Sequence, residues 1–208
     1  MTHRPYLRSR LLIGATAFAV ALLAASYSYA KRGKASEFLA VGVTGVQHAG
    51  PNTSISDFYV NGMHFGKVPR EGGGGSVFCC IALPRTWRPG LTVDIRWAEI
   101  DWTNEVVAET DAGNFRSLSN VVYKATVPVE KYDAIGPAYV HFFSHGRVRF
   151  ISSLFWPEGS GHPILMTDTS AGNMATSGAA VPDFFTPAEL AEAAEKEKVR
   201  KEKEGDWR

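Results

Sequence analysis

The chain has 208 residues, 45% of them hydrophobic, with 22 basic residues against 21 acidic ones and a formal net charge of +1. Once the three arginines before the first apolar run are set aside, the balance turns slightly negative, which excludes a general attraction to nucleic acid or to an anionic surface. Two cysteines exclude a disulfide framework, since each has only the other as an intramolecular partner.

Residues 1–10 form a basic segment with Arg4, Arg8 and Arg10, and Leu11 to Ala30 carries no charge. As a helix this run is about 30 Å long, the thickness of a bilayer's hydrocarbon core. Ser28-Tyr29-Ala30 also has the small residues of a signal-peptide cleavage site, so a cleaved signal followed by a soluble periplasmic product is the alternative. The length of the run and the basic flank Lys31, Arg32 and Lys34 favour an uncleaved anchor. The expected placement is a single pass through the inner membrane, with residues 1–10 cytoplasmic, 11–30 in the bilayer and the remainder in the periplasm. No cysteine follows the run, so a lipoprotein anchor is excluded.

Residues 31–156 read as one β-rich domain. Phe38 to Val46 is apolar and β-branched. Ile55 to Val60 and Met63 to Val68 flank Asn61-Gly62, two residues that tolerate the positive φ of a type I′ hairpin turn. Val77 to Leu83 is a continuous apolar run and predicts a central strand buried on both faces. Thr92 to Ile100 alternates as a half-buried strand does, with Val93, Ile95 and Trp97 on one face. The polar stretch Asp101 to Asn120 is a functional-loop candidate, Val121 to Val129 is a further strand, and Tyr139–Phe143 and Val148–Phe155 flank a second hairpin at Ser144 to Arg147. The fold class expected is mainly β, a single antiparallel sandwich or barrel-like domain.

Residues 157–185, rich in Gly, Ser, Thr and Pro, predict a loop. Residues 186–208 predict a charged C-terminal helix opened by the capping box Thr186-Pro187-Ala188-Glu189, solvated on most faces and fraying past Val199.

The motifs argue against most catalytic classes. Gly72 to Gly75 lead into a strand, without the Gly-Lys-Ser/Thr and helix of a phosphate loop. His3, His48, His64, His141, His145 and His162 are scattered, contain no His-Glu-x-x-His pair, and are expected to be exposed or in loops. No metal site, cofactor or catalytic residue is therefore expected. A rival reading, a periplasmic hydrolase, needs His48, His141 or a pair from Asp94, Glu99, Asp101, Glu105 and Glu109 to converge in one cleft. A third, a structural envelope protein, would show itself by binding peptidoglycan or another envelope component. Adjacent Cys79 and Cys80 leave two states open: a vicinal disulfide, or two thiols buried separately on opposite faces of a strand. Of Trp87, Trp97 and Trp102, the last sits where strand becomes loop and is a candidate partner anchor. Phe115, Arg116 and His145 are the other candidate partner contacts, the first two on the long loop and the last on the second hairpin.

Phe58 to Gly62 (FYVNG), Gly72 to Gly75, Cys79-Cys80, Leu83-Pro84, Trp87, Pro89-Gly90 and the strand ending in Trp97 occur in order at tight spacing. Over residues 38–100 this series resembles an uncharacterised family of proteobacterial envelope proteins, many of them lipoproteins, with a Val-Asn-Gly…Gly-Gly-Gly…Cys-Cys…Leu-Pro…Trp pattern. Members often stand beside phospholipase effectors of the type VI secretion system. The resemblance implies an immunity protein that binds and blocks a secreted phospholipase in the periplasm, and hence a protein partner and no enzymatic activity.

Overall fold

The computed structural model describes residues 36–70, 72, 78–103, 107–114 and 119–204. The apolar run 11–30, Gly73–Gly75, Phe115 and Arg116 lie outside the described residues. In chain order the elements are β1 (Phe38–Gln47), β2 (Thr53–Val60), β3 (Met63–His64), β4 (Phe78–Pro84), β5 (Thr92–Asp101), α1 (Val107–Asp111), β6 (Ser119–Pro128), β7 (Ala138–Phe143), β8 (Arg147–Ser152), a 3-10 turn (Ser170–Met174), β9 (Thr176–Ser177), β10 (Ala179–Val181) and α2 (Pro187–Glu204). All of them lie in the second of two compact units, Phe38–Arg208; the first is Met1–Glu37. Among the described residues no helix is long and apolar enough to cross a membrane.

The strands form two five-stranded sheets, β4-β1-β7-β8-β9 and β10-β6-β5-β2-β3. Alternation along each strand sends one set of side chains into a shared core. The first sheet contributes Val41, Val43, Ile81, Leu83, Ala138, Val140, Phe142, Val148 and Phe150, and the second contributes Phe58, Val60, Val93, Ile95, Trp97, Ala125 and Val127. Phe142 is the central knob, with its ring 5.4 Å from Phe58 and 5.9 Å from Trp97. Each such buried aromatic contributes about 1.5–3 kcal/mol against exposure.

Three expectations are corrected here. Neither sheet closes into a barrel. The pairing is not wholly antiparallel, since β1 runs parallel to β7 with Val43 opposite Ala138. The run around Val77 to Leu83 is not central: β4 begins at Phe78, pairs with β1 on one side, and forms the edge of its sheet. Ile81 and Leu83 point into the core while Cys79 and Ala82 are exposed. Small side chains and a disulfide make an apolar string that needs no second buried face.

The strand buried on both faces is β7, all six of whose residues are buried. Its outer face is covered by the segment expected to be loop. Ile164 and Ala171 from that segment pack with Phe143 and Ile151 in a second apolar cluster. The same segment then supplies β9 to one sheet and β10 to the other. Gly178 joins them over the Trp97 ring, where a Cβ would overlap the indole.

The first hairpin follows the sequence. Asn61 and Gly62 have φ of 50° and 80°, as a type I′ turn requires. The Asn61 side-chain oxygen accepts from the Asp94 N–H at 2.9 Å, and the Asn61 N–H donates to the Asp94 carbonyl at 2.8 Å. Gly62→Val is expected to cost about 1–2 kcal/mol through the positive φ alone, because the space around Gly62 is open. Unchanged thermal melting would show that this turn does not constrain the register.

The capping box also forms. The Glu189 carboxylate accepts from the Thr186 N–H at 2.8 Å, and the Thr186 hydroxyl accepts from the Glu189 N–H at 3.2 Å. Glu189 further takes a two-pronged bond from Arg96 at 2.6 and 3.0 Å, which holds its carboxyl well below the usual range. That contact ties the first turn of α2 to the second sheet. No residue of α2 is buried, yet the helix continues past Val199 to Glu204, with ion pairs such as Arg200–Glu197 along it.

Candidate functional site

The outer face of the first sheet carries a polar cluster beneath the covering segment. Parallel pairing of β1 with β7 brings His48, just past the end of β1, beside His141. His48 Nε2 lies 2.8 Å from His141 Nδ1, so one ring donates and the other accepts. His162, from the covering segment, places its ring 5.1 Å from that of His141, and its Nδ1 lies 2.7 Å from the Ile164 carbonyl oxygen. The three are 6%, 0% and 5% exposed. His48 stacks on Phe143, and Tyr139 meets His162 edge-on. His48 and His162 lie in loops, as expected, and His141 lies in β7; the expectation that the histidines are scattered is corrected for all three, and that of exposure by their burial. The signal was hidden because 93 residues separate His48 from His141.

Burial sets their charge. The His48 imidazole is pushed down to about 4 by burial, partly offset by the Met166 backbone and the Asp168 carboxylate. His141 is lowered well below its ordinary value by burial first, then by His48, His162 and Arg149. Burial also lowers His162. All three are neutral at pH 7. His48 Nδ1, His141 Nε2, His162 Nε2 and Thr44 Oγ1 have no hydrogen-bond partner. Among the described residues no group of three His, Cys, Asp or Glu is arranged to hold a metal ion.

His48 opens on one side to a pocket of about 340 Å³, lined also by Gln47, Arg70, Gly72, Met166 and Thr169. A second pocket of about 440 Å³ lies across Arg70, between Ser54, Lys67, Pro69, Ile100 and Trp102. Arg70 lines both pockets. Its guanidinium lies 4.5 Å over the Trp102 ring, and the Trp102 indole N–H donates to the Ser54 hydroxyl at 2.8 Å. Gln47 donates to the carbonyls of Gly50 and Arg70, bracing the segments that form the floor.

Of the residues singled out from sequence, Trp102 is half-buried and lines the second pocket. His145 is exposed at the tip of the second hairpin with φ of 66°. Trp97 is core, and Trp87 is partly buried with its N–H on the Val129 carbonyl at 2.9 Å. Asp94 accepts from the Thr126 hydroxyl and Asp101 from Thr103, each engaged locally. Glu99 is raised by burial, with one carboxylate oxygen lacking a partner. Glu105 lies outside the described residues, as do Phe115 and Arg116. Cys79 and Cys80 are joined in a disulfide across a cis peptide bond, with Cα atoms 3.1 Å apart, and Cys79 is exposed rather than a buried thiol.

The Arg70–Trp102 pair and the pocket beside His48 were not legible from spacing. The pair needs the segment after β3 to return beside the end of β5, and the pocket needs the β1–β2 connection, that segment and the covering segment to meet.

No curated protein and no solved structure matches the chain. Residues 49–150, which hold Trp102, Arg70, the disulfide and His141 but neither His48 nor His162, match the family described as "Protein of unknown function (DUF3304)".

Proposed function

We propose that the chain is an envelope-tethered binding protein that inhibits a secreted phospholipase, the immunity role implied by its motif series. In this reading residues 11–30 anchor it in the inner membrane, and the domain, a two-sheet sandwich, faces the periplasm. The observation that carries the binding surface is the Arg70–Trp102 stack on the 440 Å³ pocket. A tryptophan fixed by a hydrogen bond and covered by a guanidinium is preorganised, and Trp and Arg are the residues in which interface energy concentrates. His145 and the loop between β5 and β6 rise from the same end of the strands.

The test is a pull-down of the full chain with the lipase encoded beside it, coupled to a killing assay. Trp102→Ala is expected to weaken binding roughly thirtyfold, about 2 kcal/mol, while leaving melting nearly intact. Absence of binding and of protection in the wild type would end the immunity reading.

A hydrolase is the second reading, favoured by the direct contact of His48 with His141. It predicts ester-cleaving activity that His48→Gln abolishes and Trp102→Ala spares. The inhibitor reading predicts no turnover in either.

A further inference from the structure

The disulfide between Cys79 and Cys80 does little to hold the fold together. A cross-link stabilises by restricting the unfolded chain, and the gain shrinks with the loop it closes. Adjacent residues close the shortest loop a chain offers, at a sequence separation of 1. The strands on either side of it have their own hold on the core, through Ile81 and Leu83 in β4 and Val41 and Val43 in β1.

Its placement suits reaction instead. In the ladder between β1 and β4, Val41 pairs with Ile81 and Val43 with Phe78, so Gly42 alone stands opposite both cysteines. Two residues against one make a β-bulge, a device that re-aims side chains at sheet edges. Alternation back from Leu83 and Ile81 would turn Cys79 toward the core. The bulge breaks that alternation, and Cys79 is exposed while Cys80 is half-buried. β4 is also the end strand of its sheet, and among the described residues no strand pairs with its other edge. A thiolate can therefore reach the sulfurs without the sheet opening. The chain has no third cysteine, so the exchanging thiol belongs to a second molecule.

We infer that Cys79–Cys80 is a thiol–disulfide exchange site whose substrate is a dithiol carried by another molecule. One thiolate of the dithiol attacks Sγ of Cys79, the exposed residue, forming a mixed disulfide and expelling Cys80 as a thiolate. The second thiolate attacks its own molecule's sulfur in that mixed disulfide and releases Cys79. The dithiol leaves as a disulfide. Its two electrons reduce the cysteine pair, and its two protons end on Cys79 and Cys80. The ladder pairs on either side of the bulge survive the change, so the reduced domain stays folded.

The probe is dithiothreitol, added to the full chain without denaturant. Iodoacetamide then alkylates the freed thiols, and mass spectrometry reads them. Both cysteines are expected to become labelled, with the melting temperature lowered by no more than about 4 °C, the equivalent of about 1 kcal/mol. A bond that yields only when urea unfolds the chain overturns the proposal. So does a domain that melts out when the bond is cut, which would make the disulfide a staple. Cys80→Ser and Cys79→Ser, each left with one thiol, test which sulfur reacts. With glutathione disulfide, Cys80→Ser should gain glutathione at Cys79 at least about tenfold faster than Cys79→Ser gains it at Cys80. Equal rates, or the reverse order, overturn the assignment of Cys79 as the exchanging sulfur.

Discussion

Lowering the pH from 7 to 5 is expected to destabilise the domain by about 2 kcal/mol through His48 alone. Its folded value of about 4 lies below the ordinary 6.5, so between these values the unfolded chain binds more protons than the native one. Stability is therefore complete above about pH 6.5, falls as the pH drops through that value, and levels off for this group below about 4. His141 and His162 are also lowered by burial and act in the same sense. Glu99, raised by burial, has the opposite slope above its ordinary 4.5, because its native form holds a proton that the unfolded form releases. The histidines outnumber it, and His48→Gln isolates their part. Urea unfolding at pH 7 and pH 5 provides the measurement. The wild type should lose stability across that interval and His48→Gln should lose markedly less. Equal stability of the wild type at both values would mean that the cluster is already protonated, or already solvated, at pH 7.

Gly146→Ala should be the most damaging single methyl group among the hairpin glycines. Gly146 has φ of 62°, and a Cβ there would overlap the Tyr123 ring beneath it. The left-handed conformation costs an L-residue about 1–2 kcal/mol, and forced overpacking adds about 1–3 kcal/mol. Tyr123 cannot easily yield, since it stacks on Trp97 at 5.4 Å, and Trp97 is fully buried. At roughly 2–4 °C per kcal/mol for a domain of this size, the melting temperature should fall by about 4–20 °C. Gly90→Ala is the reference: its φ is 83° but nothing stands within 4 Å of the added atom. It should show the conformational cost alone. Equal losses in both variants would mean that Tyr123 moves aside freely.

The strands were legible because their information is local. Val93, Ile95 and Trp97 alternate with polar neighbours, and all three are core. Asn61-Gly62 and Thr186–Glu189 are short chemical instructions, and the chain obeys both. What stayed hidden depends on partners far away in sequence. Nothing in FCCIALP distinguishes an edge strand from a central one, because the same hydrophobicity serves one buried face or two. Two- and three-residue strands such as Thr176–Ser177 and Ala179–Val181 have no periodicity to detect; they exist because β8 and β6 offer open edges. The histidine cluster assembles only after parallel pairing and burial by a third layer. Trp102 drew notice as a residue at a strand end, but its guanidinium cover depends on where residue 70 returns.

The parallel seam between β1 and β7 also bears on the order in which this molecule can assemble. In the second sheet β5 pairs with β6 across residues 102–118 and with β2 across residues 61–91, so these ladders close over connections much shorter than the one at the seam. At the seam of the first sheet, a contact such as His48 with His141 must close a loop of 93 residues before it gains anything. That entropy is spent ahead of any reward and slows a nucleus built there. A nascent chain that has not yet exposed Ala138 to Phe143 has paired β1 with at most β4, leaving one long edge of β1 open. Until the last third of the sequence arrives, that edge is a template for pairing with another molecule, and a folding chain needs either speed or a chaperone to keep it unpaired.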